Sequence, residues 1–321
     1  MTTYTIIGLK RITASMALRL RKAQPEAAVF GYDSDSGTVQ TTQALGATMP
    51  GPEDLREAIK QADVIILDLP LNRLPRLFIE LGNLLKNNAL VFDLAKLKGL
   101  GFKLAQQHNF SERYMGLTPI LATASLAVVD QSVAAASLDA LHESAWYLVY
   151  SPQTEQATIE QADALASILG EQVLLMDLME YDGLIQGVET APGLVAAAMF
   201  RAVTQSPGWR DMSRLAGSDF ALSTRPLEAG ADIAAIALQN SLGLIHHLDA
   251  VLQSLQEIRR FLEKNNQQGL EAFLLELKNE RDQWLQKRTH NDWSEEDLFE
   301  EQPPTFFATL FGLGRRQKRK E

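Results

Sequence analysis

Apolar residues in the first half of the chain fall into short continuous runs, separated by stretches in which they recur every three or four positions. Continuous runs are typical of strands buried on both faces, and the recurring pattern is typical of amphipathic helices. The alternation predicts an α/β fold, a Rossmann-like, doubly wound parallel sheet. The predicted strands are 5–8, 28–33, 64–69, 89–93 and 146–149.

After Ser151-Pro152 the pattern becomes mainly helical. A helix over 154–169 and a strand over 172–176 come first, and nearly everything beyond has helical spacing. The longest helix is predicted over 232–262, with a packing seam of apolar residues, and a further helix over 267–287 is expected to pack on it. A homodimer through this all-helical part and an intramolecular bundle both explain the seam, which consists of Leu238, Leu242, Ile245, Leu248, Leu252, Leu255 and Leu262.

The composition changes again at Thr289. An acidic stretch over 292–301 is followed by two prolines, an aromatic segment over 306–314 and a basic end over 315–320. This pattern predicts a tail that is disordered or only conditionally folded. Its adjoining aromatic and basic parts suit docking on a partner protein or an anionic membrane surface, and a solubilising tail whose apolar residues fold back on the body is the other interpretation. We therefore predict three parts: a dinucleotide-binding-like domain over 1–150, a substrate and dimerisation domain over 151–288, and a tail over 289–321.

Composition excludes several classes of function. The chain has no cysteine, so it offers no disulfide, thiolate metal site or thiol nucleophile. Its net charge of −10 argues against nucleic-acid binding, because phosphate backbones select basic faces. No signal pattern precedes the first strand, and no apolar run approaches the roughly 20 residues that span a bilayer, so a cytoplasmic protein is expected. His246 and His247 are neighbours on a helix and point about 100° apart, so we predict no metal site.

The turn after the first strand has the layout of a dinucleotide-binding fingerprint, G-x-G-x-x-G, in which only the first glycine is present. Gly8 is kept, while Lys10 and Thr13 occupy the second and third glycine positions. Those glycines let the backbone approach the pyrophosphate and let the helix pack on the strand, so both replacements are expected to weaken NAD binding. Conversely, Lys10 and Arg11 add positive charge at a helix amino terminus, which favours anions. The candidate cofactor-binding residues here are Gly8, Leu9, Lys10, Arg11 and Ile12.

Asp33 ends the second predicted strand. A Rossmann fold places at this point the acid that accepts hydrogen bonds from the adenosine ribose. If a cofactor binds, Asp33 favours NAD over NADP. A polar strand end before the turn at 34–37 is the other interpretation of the same residue.

Several phrases of the sequence, in order, resemble the prephenate/arogenate dehydrogenase family of tyrosine biosynthesis over roughly residues 4 to 288. Residues 92–99 are similar to the family's Asp-Val-Gly-Ser-Val-Lys segment, and 115–119 lie where the family has Gly-Gly-His-Pro. Residues 62–70 look like the family's strand beside the nicotinamide, which makes Leu69 a candidate cofactor contact. The remaining similar segments are the turn at 6–18, the strand at 29–33 and the helical signature at 209–219.

The resemblance implies an oxidoreductase that uses NAD or NADP for oxidative decarboxylation, with hydride leaving the ring carbon that bears the hydroxyl. In the family, a histidine of Gly-Gly-His-Pro holds and polarises that hydroxyl, a role that suits imidazole. This chain has Thr118 at that position. A threonine hydroxyl orients a substrate but is a very poor base, so a loss on the order of 100- to 10,000-fold is expected.

Other substrate positions implied by the resemblance also differ. Lys96 replaces a family serine, and residues 189–193, which include Thr190, replace the family's Ser-His-Leu-Pro-His. Arg214 matches a family arginine that binds a substrate carboxylate. A salt bridge with Asp211 or Asp219 explains Arg214 equally.

Two functional hypotheses follow. The first is an impaired or altered NAD(P)-dependent dehydrogenase that acts on prephenate, arogenate or another hydroxy acid. The second is a non-catalytic paralogue, a pseudoenzyme that acts as a metabolite sensor or scaffold and whose cleft binds a small anionic metabolite or nothing. A more distant alternative, the β-hydroxyacid dehydrogenases, relies on a helical-domain lysine that 189–200 does not contain.

Overall fold

A computed structural model describes residues 1–239 and 241–290. Its seven strands form one sheet in the order β2-β1-β3-β4-β5-β6-β7. The strands from β1 to β5 are parallel, β6 is antiparallel to β5, and β7 is parallel to β6. The strands are β1 Thr3–Ile7, β2 Ala28–Tyr32, β3 Val64–Leu67, β4 Leu90–Asp93, β5 Tyr114–Ile120, β6 Ala145–Tyr150 and β7 Gln172–Asp177.

Helices connect the strands and then form the second half of the chain. The helices that accompany the sheet are α1 Arg11–Ala23, α2 Ser36–Ala44, α3 Leu55–Gln61, α4 Leu74–Leu84, α5 Gly99–Gln107, α6 Thr123–Leu126 and α7 Gln156–Leu169. The later helices are α8 Leu178–Ile185, α9 Ala191–Thr204, α10 Trp209–Leu215, α11 Ser218–Thr224, α12 Gly230–Gln239, α13 Ser241–Glu263 and α14 Gln267–His290. A π-helical turn, Gln186–Thr190, joins α8 to α9.

The sheet is buried on both faces, as the continuous apolar runs predict. Adjacent strand residues such as Val91 and Phe92 point to opposite faces and belong to two separate core clusters. One cluster includes Ile6, Met16, Val29, Phe92, Leu117 and Trp146, and the other includes Ile65, Leu77, Phe78, Val91, Phe102 and Tyr114. The predicted α/β fold with a helical second half is therefore confirmed.

Two features of the sheet differ from the sequence-based expectation. Strand β5 was not predicted, because Gly116 and Pro119 interrupt its pattern. Strand β7 pairs with β6 along its whole length, so the sheet reaches Asp177 and the predicted domain boundary at residue 150 lies inside it. The carboxyl end of β5, where Thr118 lies, is one edge of the site described below.

The apolar seam of the long helical segment is not buried within the chain. Both sides of residue 240 are helical, and Leu238 and Leu242 are 82% and 81% exposed. Phe261 and Phe273 join α13 to α14 with ring centroids 5.9 Å apart. An intramolecular bundle therefore leaves most of the seam uncovered.

The prediction that no segment is apolar and long enough to cross a bilayer needs correction. The helical stretch Leu178–Thr204 has 27 residues and a mean hydropathy of 1.2 over its most apolar window, which meets both criteria by composition. Only 28% of that window is buried within the chain. A core helix of a soluble protein meets the same criteria, and this stretch carries Tyr181, Asp182 and Glu189, whose side chains bind groups of the sheet domain.

Candidate functional site

The turn after β1 requires its glycine. Gly8 has a φ of +94°, in the left-handed region that side chains rarely adopt. A Cβ at this position would lie 2.2 Å from the carbonyl oxygen of Asp68, which follows β3. The first glycine of the predicted fingerprint therefore has the role that the fingerprint assigns to it, a tight turn in close contact with the neighbouring strand.

The three backbone amides that follow Gly8 all donate to acceptors within the chain. Leu9 N donates to Asp33 Oδ2 and Lys10 N to Thr13 Oγ1, each at 2.9 Å. Arg11 N, at the start of α1, donates to the carbonyl oxygen of Gln131 at 2.9 Å. Free N–H groups at this helix terminus are the groups that hold a pyrophosphate in a dinucleotide-binding turn. A dinucleotide would have to displace these internal acceptors.

Lys10 adds a second obstacle. Its Nζ lies 2.5 Å from Asp68 Oδ1, so an ion pair joins the end of β1 to the end of β3. The strand order changes direction at β1, because β2 lies on one side of it and β3 on the other. Open α/β sheets bind their ligands at such a point, outside the carboxyl ends of the strands. The pair therefore lies at the edge of the sheet where such a ligand would bind.

Thr13 fits the helix-strand contact better than the sequence predicts. The residue is fully buried, and its hydroxyl donates to Gly8 O at 3.0 Å while it accepts from Lys10 N. The expectation that its branched side chain disturbs the packing is wrong, because the hydroxyl is hydrogen-bonded within the turn. Thr13 is instead expected to weaken cofactor binding because its hydroxyl accepts the hydrogen bond of the Lys10 amide.

Arg11 also differs from the prediction. Its side chain is 3% exposed, and Nη1 and Nη2 donate to Ser125 O and Ser125 Oγ of α6, each at 3.2 Å. Nε has no hydrogen-bond partner among the described residues. The guanidinium thus fastens α6 to α1 and is not presented to a phosphate at the helix terminus.

The other cofactor candidates lie around this turn. Asp33 Oδ2 accepts from Leu9 N, and its Oδ1 accepts from the amide of Asp35 at 3.0 Å, so the carboxylate is fixed at the end of β2. Leu69 lies against Gly8, since a Cβ on that glycine would be 3.2 Å from its Cδ2. Ile12 is half-buried and packs on the core beneath α1. The structure therefore brings all the predicted cofactor positions together.

A second group of residues lies where β5 meets the helical half of the chain. Thr118 Oγ1 and the Tyr181 hydroxyl are 2.7 Å apart. Burial raises the pKa of Tyr181 above its ordinary value, with a smaller lowering by the Thr118 hydrogen bond and further raising by the charges of Asp182 and Glu189. The hydroxyl pair can therefore donate or accept hydrogen bonds to a ligand, but neither member takes up a proton readily near neutral pH.

Lys98 and Asp93 form a buried network beneath this hydroxyl pair. Lys98 is fully buried and its Nζ donates to Asp93 O at 2.7 Å and to Leu117 O at 2.8 Å. Burial lowers the pKa of Lys98 to about 8, although the charges of Asp93 and Asp182 oppose the change. Burial raises the pKa of Asp93, whose carboxylate accepts from the Tyr114 hydroxyl at 2.6 Å. Because Lys98 Nζ is hydrogen-bonded to two carbonyls, it fixes the ends of β4 and β5.

Asp182 connects this network to the helical half. Its two carboxylate oxygens accept from the backbone amides of Lys98 and Gly99 at 2.9 and 2.8 Å, at the start of α5. The neighbouring Tyr181 ring has Lys98 Nζ 5.6 Å from its centroid. Asp182 therefore positions Tyr181 against Thr118, although the tyrosine and the threonine are 63 residues apart in sequence.

Three charged side chains belong to the surroundings of this hydroxyl pair, since the charge of Glu189 acts on both Tyr181 and Arg288. Lys96 Nζ is 2.5 Å from Glu189 Oε2. Arg288, in the last turn of α14, donates from Nε to Leu121 O at 2.8 Å. Burial lowers the pKa of Arg288, and the negative charge of Glu189 opposes that change. We call Thr118, Tyr181, Lys96, Glu189 and Arg288 the cleft cluster.

Known proteins share this sequence pattern and its architecture. A family model described as "Prephenate dehydrogenase, nucleotide-binding domain" matches residues 16–175, beginning just after the cofactor turn. The prephenate dehydrogenase of Lactococcus lactis is 26% identical over 294 residues, covering 86% of this chain and 75% of the relative. That of Bacillus subtilis is 22% identical, covering 87% and 75%.

Solved structures agree in fold. The prephenate dehydrogenase from A. aeolicus, in complex with hydroxyphenyl propionate and NAD+, has a TM-score of 0.74 at 19% identity and covers 88% of this chain and 98% of that one. Synechocystis arogenate dehydrogenase has a TM-score of 0.65 at 20% identity and covers 88% and 100%. The chain belongs to the prephenate/arogenate dehydrogenase family.

The family's substrate positions are only partly brought together in this member. Thr118 and Lys96 both lie in the cleft cluster, and Thr190 is buried directly after Glu189. Arg214 lies apart on α10, 73% exposed, with Asp211 at 4.0 Å as its ion-pair partner. This pair lies within one helix, and Asp211 is one of the two salt-bridge partners expected from the sequence.

Sequence reasoning missed four residues of this dehydrogenase-family site. Lys98 could have been found, because it aligns with the lysine of the family's Asp-Val-Gly-Ser-Val-Lys segment. Tyr181, Asp182 and Arg288 carried no local signal, since each meets its partners only through the tertiary fold. In the part of the chain that the structure describes, no cluster of metal-ligating residues occurs, and the His246 and His247 rings are 6.1 Å apart as helix neighbours.

Proposed function

We propose that this chain is a prephenate/arogenate dehydrogenase-family protein with impaired or altered NAD(P)-linked activity. The observation that carries the proposal is the internal satisfaction of the three amides after Gly8. A dinucleotide gains pyrophosphate contacts from such amides, and a contact to any of these three requires breaking an existing hydrogen bond. Binding of NAD or NADP is therefore expected to be weak.

The cleft cluster supports the same proposal for the chemical step. Oxidation of a ring hydroxyl needs an acceptor for its proton, and Thr118 with Tyr181 provides only hydroxyl groups. Lys98 Nζ already donates to two backbone carbonyls. The residues therefore orient a hydroxylated ligand but supply no general base of the usual kind.

A non-catalytic, ligand-binding role is the second candidate. The Lys10–Asp68 ion pair favours it, since that contact joins the ends of β1 and β3, where a dinucleotide would bind, while the cleft cluster keeps its cations. In both cases we expect a small anionic metabolite as ligand. We also expect a cytoplasmic homodimer, in which a second copy covers the exposed seam that includes Leu238 and Leu242.

Lys10 provides the sharpest test of the proposal. We expect calorimetric titration of the wild type with NAD+ or NADP+ to give dissociation constants in the millimolar range. Replacing Lys10 by alanine removes the ion pair with Asp68 and should tighten dinucleotide binding about fivefold, the equivalent of about 1 kcal/mol. Lys22→Ala is the matched control, because it removes the same charge from the exposed far end of α1.

The direction of the change in dinucleotide affinity distinguishes the interpretations of Lys10. Tighter binding by Lys10→Ala with no gain in Lys22→Ala supports an obstructed crevice. Weaker binding by Lys10→Ala would show that Lys10 is a phosphate ligand. Micromolar binding by the wild type, followed by rapid turnover of prephenate or arogenate, would overturn the proposed impairment.

A further inference from the structure

The segment that follows β5, residues 121–132, contacts two distant parts of the chain. Its carboxyl end reaches the cofactor turn, where the carbonyl oxygen of Gln131 accepts a hydrogen bond from Arg11 N at 2.9 Å. Its amino end reaches the helical half, where Leu121 and Thr123 bind the last turns of α14. We call residues 121–132 the strap.

The contact with Arg11 occupies a position that an anion would need. Arg11 N is the first amide of α1, and such an amide binds a phosphate oxygen at about the same 2.9 Å at which it now binds Gln131 O. The Gln131 carbonyl and a pyrophosphate oxygen therefore exclude each other at this amide. The Arg11 guanidinium also holds the middle of the strap, because it donates to Ser125 O and Ser125 Oγ, each at 3.2 Å.

The strap has little buried surface of its own. Among its described residues, only Ala122 and Ser125 are buried, while Leu126 and Val129 are 43% and 57% exposed. Ser125 is held by polar contacts, since its Oγ donates to Ala140 O at 2.7 Å and accepts from Arg11. A segment with few buried apolar contacts opens locally at a lower free-energy cost than the core strands do. Individual hydrogen bonds therefore decide whether the strap stays in place.

The last turns of α14 hold the strap from the other side. Thr123 Oγ1 lies 2.8 Å from Thr289 Oγ1 and donates to Leu285 O at 3.1 Å. Arg288 Nε donates to Leu121 O at 2.8 Å. These contacts join residues more than 160 positions apart in sequence, so they depend on where the end of α14 lies.

We propose that the strap is an autoinhibitory cover of the cofactor turn, which the end of α14 keeps closed. When the strap is closed, Gln131 O takes the amide that a pyrophosphate would use, and release of the strap from α14 frees that amide. This inference rests on the proposed function, because it assigns one of the three occupied amides to a segment that can open. The acceptors of the other two amides, Asp33 and Thr13, lie outside the strap, so its opening restores only part of the dinucleotide affinity.

The test is Thr123→Val in the full chain, which keeps the shape of the side chain and removes both of its hydrogen bonds to α14. Hydrogen exchange measured by mass spectrometry should be about fivefold faster in the peptides that cover the strap and Arg11, the factor for about 1 kcal/mol of lost hydrogen bonding. Calorimetric titration with NAD+ should show binding tightened by about the same factor, because a closed strap lowers the population that can bind. Thr204→Val is the matched control and should change neither quantity, since that hydroxyl bonds only within α9 among the described residues.

Two further measurements separate release of the strap from a general loss of structure. Exchange in peptides of β4 should stay unchanged, and Thr289→Val, at an exposed position, should give smaller changes in the same directions because it removes one of the two contacts. Unchanged strap exchange in both variants, or faster exchange without tighter NAD+ binding, would overturn the autoinhibitory cover. Micromolar NAD+ binding by the wild type contradicts the proposed function, whereas equally weak or undetectable binding by the wild type and both variants contradicts this inference alone.

Discussion

Replacing Gly8 by alanine is expected to lower the free energy of unfolding by about 3 kcal/mol. Two costs add at this position. The φ of +94° is strained for any residue with a side chain, and the new Cβ would lie 2.2 Å from Asp68 O and 2.8 Å from Asp68 C. Those atoms are backbone of the segment that follows β3, so no side-chain rotation can relieve the clash.

Gly183→Ala is the matched control for Gly8→Ala. Gly183 lies in α8, and a methyl group added there would have no atom within 4 Å, so the substitution should gain up to about 1 kcal/mol from helix propensity. Urea unfolding followed by circular dichroism measures both variants. A Gly8→Ala protein as stable as the wild type would show that the turn is not held against β3 in solution.

Replacing Lys98 by methionine should have a similar or larger effect, about 3–5 kcal/mol of lost stability. The substitution keeps the apolar stem but removes the donor to Asp93 O and Leu117 O, and it removes the nearest cation from the buried Asp93 carboxylate. Lys103→Met, an exposed position on α5, is the control and should change stability by less than about 0.5 kcal/mol. Equal midpoints of urea unfolding for these two variants would contradict a buried structural role for Lys98.

Lys98 also predicts a dependence of stability on pH. Its folded pKa of about 8 lies below the ordinary lysine value of 10.5, so between these values the unfolded chain binds more protons than the folded one. The contribution of Lys98 to stability is therefore lowest below pH 8 and grows as the pH rises toward 10. We expect a positive slope of the unfolding free energy in that range for the wild type and a smaller slope for Lys98→Met. Equal slopes would rule out this titration.

The fold could be predicted from sequence because burial on both faces leaves a direct trace in the chain. The runs around Ile6, Val29, Ile65 and Val91 are uninterrupted, and each is a strand of the observed sheet. Strand β5 was not predicted because Gly116, Thr118 and Pro119 interrupt its run of apolar residues. The pattern of apolar residues therefore predicts buried strands well where the strand has no polar residue, glycine or proline.

The site was predictable only where its contacts are local. The turn at Gly8 and the acid at Asp33 could be named because the fingerprint fixes their spacing. The acceptor for Arg11 N, in contrast, is the carbonyl of Gln131, and every residue has such a carbonyl. The sequence therefore predicted weak cofactor binding from Lys10 and Thr13, while the actual arrangement depends on a distant loop that no side-chain pattern marks.

Helix α6 has only four residues, yet it touches both ligand regions. Ser125 binds the Arg11 guanidinium beside the cofactor turn, and Thr123 binds the end of α14 that carries Arg288. A nucleotide that moved Arg11 would disturb the contact of its guanidinium with Ser125, and a ligand that moved the end of α14 would disturb the contact with Thr123. Any coupling between the two ligands must be reciprocal, so each would change the affinity for the other by the same factor.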